Sequence, residues 1–198
     1  MNALPQKILN FASTTAEGAP LSAKGLLHLG KRAAVDQALS RLSRGGALIR
    51  AGHGIYVKPV ESQFGRRAPT SGKVIQGLAA QRGEIVVPHG AAVANSLGLT
   101  TQVPTREVYL TSGRSRKLRL GAQIVELRHA PISQLVHSSP RAGNVVRALA
   151  WIGPEKAGEA IQTLRSKLSP EEMTEIAEAR SRMPNWMAER VSELVQNA

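Results

Sequence analysis

The stretch "RGGALIRAGHGIYVKP", residues 44–59, holds two short apolar runs with a basic, glycine-containing segment between them. The runs are Ala47–Ile49 and Ile55–Val57, and Arg50–Gly54 separates them. This pattern predicts a β-hairpin with a basic tip. Because a two-stranded ribbon is only marginally stable alone, we expect the hairpin to pack on other elements through Leu48, Ile55 and Val57.

Helices are predicted before the hairpin. Residues 31–44 place apolar side chains at the i, i+3, i+4 and i+7 positions of one helix face, namely Val35, Ala38, Leu39 and Leu42. Gly45 is the expected left-handed residue after this helix. Two shorter helices are predicted over 6–12 and 23–29, the second capped by Ser22 and ended by Gly30.

This order of two helices, an amphipathic third helix and a basic hairpin is that of a winged helix-turn-helix. In that arrangement the third helix enters the DNA major groove. Lys and Arg neutralise phosphates, while Arg reads guanine and Gln reads adenine. The predicted DNA-binding residues are Lys31, Arg32, Gln37, Ser40, Arg41 and Arg44 on the helix, and Arg50, His53 and Lys58 on the hairpin.

Each of these residues also has an interpretation without DNA. The helix face is then merely solvated, and His53 is a turn residue. Arg50 and Lys58 would only prevent the hairpin edge from pairing with another chain. Asp36, the only aspartate, would either accept a hydrogen bond from a cytosine amino group or balance the local positive charge.

The net charge of +12 is confined to the front of the chain. Residues 1–120 contain 17 Lys and Arg against 5 Asp and Glu, whereas residues 121–198 contain nine of each kind. A charge that served only solubility would have no reason to be confined in this way. The asymmetry therefore predicts a polyanionic partner for the front part.

The rest of the chain predicts an α+β fold. By composition residues 58–72 form a linker, so the predicted domains are 1–62, the winged helix, and 70–198, a mixed α/β domain with a helical C-terminus. The predicted helices cover 73–83, 89–99 and four segments from Asn144 onward, and the predicted strands cover 84–88, 106–113, 116–121 and 122–131.

A second basic cluster lies at the turn and strand within "SGRSRKLR", residues 112–119. It is either a second nucleic-acid contact or a charged edge strand, and the sequence leaves both open. Its members are Arg114, Arg116, Lys117 and Arg119.

Several kinds of enzyme site find no support. "GRRAPTSGK" lacks the phosphate-loop pattern, since Arg67 and Val74 occupy positions that require Gly and Ser or Thr. The chain has no cysteine and one aspartate, and its histidines are scattered over His28, His53, His89, His129 and His137. We therefore expect no catalysis, no cofactor and no metal.

The expected location is the cytoplasm. No apolar run approaches the roughly 18 residues that a membrane span requires. The N-terminal residues 1–18 lack the basic and apolar blocks of a secretory signal.

Two stretches, "ALSRLSRGGALIRAGHGIYVKP" and "PHGAAVANSLGLTTQVPTREVYLTSGRSRKLRLG", give the chain a resemblance to AbiEi-type antitoxins over roughly residues 20–180. This resemblance implies a type IV toxin–antitoxin or abortive-infection system. The N-terminal winged helix would repress the protein's own promoter. The C-terminal region would counteract a nucleotidyltransferase-like toxin without necessarily binding it. Mapped onto this chain, the implied DNA contacts are Arg32, Gln37, Ser40, Arg41 and Arg44 on the helix and Arg50, His53 and Lys58 on the wing.

Two other interpretations stay open. One is a stand-alone winged-helix regulator whose C-terminal domain dimerises or senses a ligand. The other is an enzyme that acts on RNA or nucleotides through the basic middle of the chain, which would need a catalytic cluster that the sequence does not display.

Overall fold

The computed structural model describes residues 4–63, 65–135 and 139–196. Its α-helices are α1 (Leu4–Thr14), α2 (Arg32–Arg44), α3 (Ser71–Arg82), α4 (Gly90–Ser96), α5 (Ile132–Leu135), α6 (Pro140–Ile152), α7 (Pro154–Arg165), α8 (Pro170–Glu178) and α9 (Asn185–Gln196). Its strands are β1 (Ile49–Gly52), β2 (Ile55–Val57), β3 (Val60–Ser62), β4 (Gly65–Arg67), β5 (Val86–Pro88), β6 (Glu107–Thr111), β7 (Arg116–Leu120) and β8 (Gln123–His129). The α+β class is confirmed.

The chain forms two compact units. Unit 1 comprises residues 1–84 and 116–126, and unit 2 comprises residues 85–115 and 127–198. The chain thus leaves unit 1 after α3 and returns to it for β7 and the first half of β8. The boundaries of these units differ from those of the predicted domains, 1–62 and 70–198. The two domains stay a prediction.

The core of unit 1 lies between α1, α2 and the first hairpin. Val35, Ala38 and Leu39 are buried as the helix period predicts, and Leu42 packs half-buried against the same cluster. The buried members of this cluster are Ile8, Ala12, Leu21, Ala23, Leu26, Val35, Ala38, Leu39, Leu48 and Tyr56. Apart from Tyr56 all of them are aliphatic, in keeping with the few aromatic residues of the chain.

The hairpin β1–β2 is held by a backbone bridge to the chain before α2. Tyr56 donates its amide N–H to the Leu21 carbonyl at 2.9 Å, and Leu21 donates to the Tyr56 carbonyl at 2.7 Å. Together with the burial of Ile55, Tyr56 and Val57, these bonds stabilise a ribbon too short to persist alone. The hairpin prediction is confirmed, with β1 extending to Gly52, so that Arg50 pairs opposite Tyr56 and lies outside the tip.

Two local predictions before the hairpin were wrong. The second helix is only a 3-10 turn, Lys24–Leu26, since Gly25 and Gly30 make a longer helix costly. Ser22 still accepts the Gly25 N–H at 3.3 Å. The left-handed glycine is Gly46, with φ of 75°, because the Gly45 N–H still bonds to the Arg41 carbonyl and keeps Gly45 at φ of −80°.

The predicted linker also contains structure. Strands β3 and β4 pair antiparallel, with Glu61 directly opposite Arg66. Their side chains form an ion pair at 2.7 Å, and such cross-strand pairs stabilise a sheet. The composition of residues 58–72 did not predict this pairing. The segment is rich in polar residues and glycine, as linkers are, and one pair of opposite charges does not change that content.

Unit 2 contains α4 to α9 around an aliphatic core. The predicted helical segments after Asn144 are confirmed as α6 to α9, and the 3-10 turn Ala179–Arg182 follows α8. Ser169 caps α8, accepting the Glu172 N–H while the Glu172 carboxylate accepts the Ser169 N–H. The buried core residues are Val93, Ala94, Leu97, Ala142, Val145, Ala148, Leu149, Ala160, Ile161, Leu164, Leu168, Met173, Ile176, Met187, Val191 and Leu194.

The predicted strands after α3 are confirmed as β5 to β8, in the sheet order β5-β6-β8-β7. Strand β5 pairs antiparallel with β6, with Val87 opposite Leu110. No helix in the described ranges is both long enough and apolar enough to cross a membrane.

Within unit 1 the chain turn at residues 18–20 presses against α3 at Gly77. A Cβ added at Gly77 would lie 2.9 Å from Pro20 Cδ and 3.2 Å from the Gly18 carbonyl oxygen, whereas one added at Gly72 meets nothing within 4 Å. We expect Gly77→Ala to lower the free energy of unfolding by about 1–3 kcal/mol through overpacking. The matched Gly72→Ala should leave it unchanged or raise it by up to about 1 kcal/mol.

Urea unfolding of both variants, followed by circular dichroism, measures the difference. Equal effects of the two alanines would contradict the close approach at Gly77.

Candidate nucleic-acid interface

The outward side of α2 presents two neighbouring stripes of polar side chains. Since the opposite side is fixed in the core, residues four apart line up along the outside. One stripe runs through Arg32, Asp36 and Ser40, and the next through Gln37 and Arg41. All but the half-buried Ser40 are exposed.

The hairpin likewise separates apolar from basic side chains. Along β1 and β2 the residues Ala51, Ile55 and Val57 are buried. Arg50 and His53 are exposed, in β1 and at the tip respectively. Exposed Lys58 follows β2 directly. The core contacts of the ribbon therefore hold its cations on the solvent side.

An open cleft of about 1140 Å³ brings the α2 stripe and the hairpin tip together within unit 1. Arg32, Asp36 and Ser40 line it from α2, and Arg50 and His53 line it from the hairpin. Four of the nine predicted DNA-binding residues thus share one concave surface. It is referred to below as the α2–hairpin cleft.

The other predicted residues lie outside the cleft lining but remain exposed. Lys31 is the N-cap of α2, and Gln37 and Arg41 lie on the adjacent stripe. Arg44 ends the helix, and its Nη2 donates to Ser40 Oγ at 3.4 Å.

Sequence analysis missed three cleft residues, Lys24, Gln81 and Arg82. Lys24 lies in the 3-10 turn, and the other two lie in the last turn of α3. Gln81 Nε2 donates to the Pro20 carbonyl at 3.3 Å, which ties this turn of α3 to the chain before α2. No sequence pattern links α3 to α2, so only the fold identifies these residues.

Two of the four Lys and Arg side chains that line the cleft are paired with carboxylates of the same lining. One of them, Arg82, lies 3.9 Å from Glu84. Arg32 pairs with Asp36 at 3.4 Å, but both side chains are exposed, and such a pair is weak and screened by salt. Among the described residues, Arg41, Arg50 and Lys58 have no ion-pair partner. The α2–hairpin cleft and the exposed cations beside it therefore carry a net positive charge, which suits a polyanion.

The four residues of the second basic cluster have different surroundings in the structure. Arg116 makes two hydrogen bonds to Glu84, at 3.1 and 2.5 Å, and only 15% of its side chain is exposed. Lys117 pairs with Glu126 at 3.2 Å. Arg119 is exposed on the edge strand β7, and Arg114 belongs to unit 2. For Arg116 this geometry favours the structural role over a nucleic-acid contact.

No group of three or more His, Asp or Glu in the described part of the chain could hold a metal ion. His28 instead packs edge-on against Phe11, with ring centres 5.3 Å apart. His137 lies outside the described residues.

Comparison with known protein families gives a match over most of the chain. Residues 7–176 match the model of DUF6088, described as a family of unknown function. No curated protein and no solved structure matches the chain.

The Glu84–Arg116 pair provides a test of the structural role of Arg116. Glu84→Gln leaves a largely buried guanidinium without its counter-charge, so we expect the free energy of unfolding to fall by about 1–3 kcal/mol. The control is Glu61→Gln, which breaks the exposed pair with Arg66 and should cost less than about 1 kcal/mol. Chemical denaturation measures both, and equal losses would argue against the structural role.

Proposed function

The chain belongs to DUF6088, a family of unknown function, and we propose that it is a winged helix-turn-helix repressor that binds double-stranded DNA. In this proposal α2 is the recognition helix and the hairpin β1–β2 is the wing. The α2–hairpin cleft carries the proposal, because it faces cations of both elements toward one concave surface.

The placement of side chains on α2 supports a division between base and phosphate contacts. Gln37 and Arg41 lie on the stripe beside the cleft, exposed and without an ion-pair partner. These are side-chain types that read adenine and guanine through paired hydrogen bonds. Lys31 at the start of the helix and Arg44 at its end would then bind the phosphates on either side.

The wing supplies the second contact. Arg50 and His53 line the cleft opposite α2, and Lys58 extends the basic surface beyond it. A ribbon that follows the sugar-phosphate backbone needs cations but no fixed base geometry. The hydrogen bonds between Leu21 and Tyr56 would hold the wing at a constant distance from α2.

Charge distribution supports a polyanion at unit 1. By sequence this unit holds 15 Lys and Arg against 5 Asp and Glu, whereas unit 2 holds 11 against 9. Excess positive charge raises the association rate with DNA and strengthens binding through the release of counterions.

The resemblance to AbiEi-type antitoxins adds a biological role to this proposal. The chain would repress its own promoter, and it would counteract a nucleotidyltransferase-like toxin, directly or only functionally, with no catalytic step of its own. A reading frame for such a toxin beside this gene supports the antitoxin role. Its absence supports the stand-alone regulator whose C-terminal domain dimerises or senses a ligand.

DNA binding should depend steeply on salt. If the protein neutralises about 4–6 phosphates, the logarithm of the association constant should fall against the logarithm of salt concentration with a slope of about −4 to −5. A gel-shift or anisotropy titration with the DNA upstream of its own gene, at several salt concentrations, measures the slope. A flat response would be incompatible with the proposal.

We expect Arg41 to contact a base and Lys58 to contact a phosphate, so their substitutions should affect DNA binding differently. Arg41→Ala should weaken binding to the upstream DNA by about 1–3 kcal/mol and relax one base preference. Lys58→Ala should weaken binding to upstream and random duplexes alike, since phosphates carry no sequence information.

Lys7→Ala is the matched control, because it removes one exposed positive charge from α1, an element outside both the proposed recognition helix and the proposed wing. This substitution should change the affinities for the upstream duplex and for the random duplex little. If Arg41→Ala affects both duplexes equally, Arg41 is a phosphate contact only. If Lys7→Ala has the same effect as Arg41→Ala, net charge alone accounts for binding.

A further inference from the structure

Unit 2 contains a cavity of about 670 Å³ that the proposed function does not use. This volume lies in the range of sites for small organic ligands. Its charged and aromatic lining residues are His89, Arg147, Trp151, Arg182 and Trp186. None of the residues that line it is Asp or Glu, so the titratable groups that face it are neutral or positive.

Arg147 is the most unusual of these residues. It is only 7% exposed, yet its hydrogen bonds go to neutral oxygens. Nη2 donates to Asn144 Oδ1 at 2.7 Å, Nη1 donates to the Gln134 carbonyl at 3.5 Å, and Nε is buried without an acceptor. Burial lowers the pKa of Arg147, but a guanidinium stays protonated in proteins.

A buried charge without a counter-charge is costly to the folded state. Such a group is typical of a site where an opposite charge arrives with a ligand. Since Arg147 lines the cavity, an anion there would supply the charge that the described part of the protein does not provide.

Two further lining residues offer donors to the same space. Arg182 is exposed and makes no ion pair with any described residue. His89 accepts the Ala91 N–H at Nδ1, at 3.2 Å, so its neutral ring carries the proton on Nε2. Burial, and then the charge of Arg128, lower the pKa of His89 and favour this neutral form.

The cavity also has an aromatic part. Trp151 and Trp186 are the two tryptophans of the chain, and both line the cavity. Trp151 is 39% exposed, and such an indole face offers a stacking surface to a flat ring.

We propose that this cavity binds a small planar organic anion, with its acidic group at Arg147 and Arg182 and its ring against Trp151 and Trp186. The inference rests on unit 2 alone and does not depend on DNA binding. A ring carboxylate and a nucleoside monophosphate share the required chemistry, and the test separates them.

The test is a titration of the full chain, followed by tryptophan fluorescence and by calorimetry. The probes are benzoate and adenosine monophosphate, each with its uncharged counterpart, benzamide and adenosine, and with acetate and inorganic phosphate as anions without a ring. We expect at least one ringed anion to change the fluorescence and to bind more tightly than its counterpart and than the ringless anion. Whether benzoate or the nucleotide does so identifies the acidic group.

Substitutions test whether the anion binds in this cavity. Arg182→Gln removes an exposed donor and should weaken binding roughly tenfold or more, as expected for a hydrogen bond between charged groups. Arg180→Gln is the matched control in the same 3-10 turn, since Arg180 donates to Ser192 Oγ and does not line the cavity. It should leave the affinity unchanged. Arg147→Gln should abolish binding, with circular dichroism confirming that the variant folds.

The proposal is overturned if neither ringed anion binds more tightly than its uncharged counterpart. It is also overturned if Arg182→Gln and Arg180→Gln bind with the same affinity, a result that remains informative even if Arg147→Gln fails to fold.

Discussion

The proposed DNA-binding surface depends on one short backbone bridge, between Leu21 and Tyr56. Its two hydrogen bonds, at 2.7 and 2.9 Å, join the segment before α2 to the second strand of the hairpin. Leu21 and Tyr56 are also both buried in the unit 1 core, so water does not compete for these bonds. The bridge gives a marginal ribbon a third extended neighbour. Together with the burial of Leu48 and Tyr56 in the cluster that also holds Val35 and Leu39 of α2, it sets the distance between the cations of the ribbon and those of α2.

Charge in unit 1 serves two separate purposes. Where a cation is largely buried, as Arg116 is, it is paired with a carboxylate and contributes to the fold. Where cations line the α2–hairpin cleft, Arg32 and Arg82 are paired with carboxylates, but the net charge stays positive. This net charge weakens stability slightly through repulsion and raises the positive potential toward a polyanion. The role of an arginine in unit 1 therefore depends on whether its side chain is buried or exposed. Net charge, a sum over all of them, predicts a partner but cannot say which arginine binds it.

Unit 2 shows the opposite situation in Arg147, which is buried but has no acidic partner among the described residues. A structural arginine at this depth would be expected to resemble Arg116, with a carboxylate across from it. The contrast between the two arginines is the reason to assign the cavity to an anion. If both proposals hold, the chain combines a DNA-binding unit with a ligand-binding one, which is the organisation of a regulator.

The sequence by itself determined the elements that have a strong period. It predicted α2 with its buried Val35, Ala38 and Leu39, and it predicted the basic hairpin, because side-chain spacing of 3.6 or 2 residues is a local property. The sequence-based prediction failed where local signals were weak or mixed. One case is the 3-10 turn at Lys24–Leu26. The other is the pair β3–β4, because the cross-strand pair of Glu61 and Arg66 cannot be recognised from composition. Only the tertiary structure decided which residues meet. Arg32 and His53 line the same cleft, Arg82 joins them from α3, and Arg116 pairs with Glu84. All of these positions lie far apart in the chain, and such proximity depends on packing that no local pattern encodes.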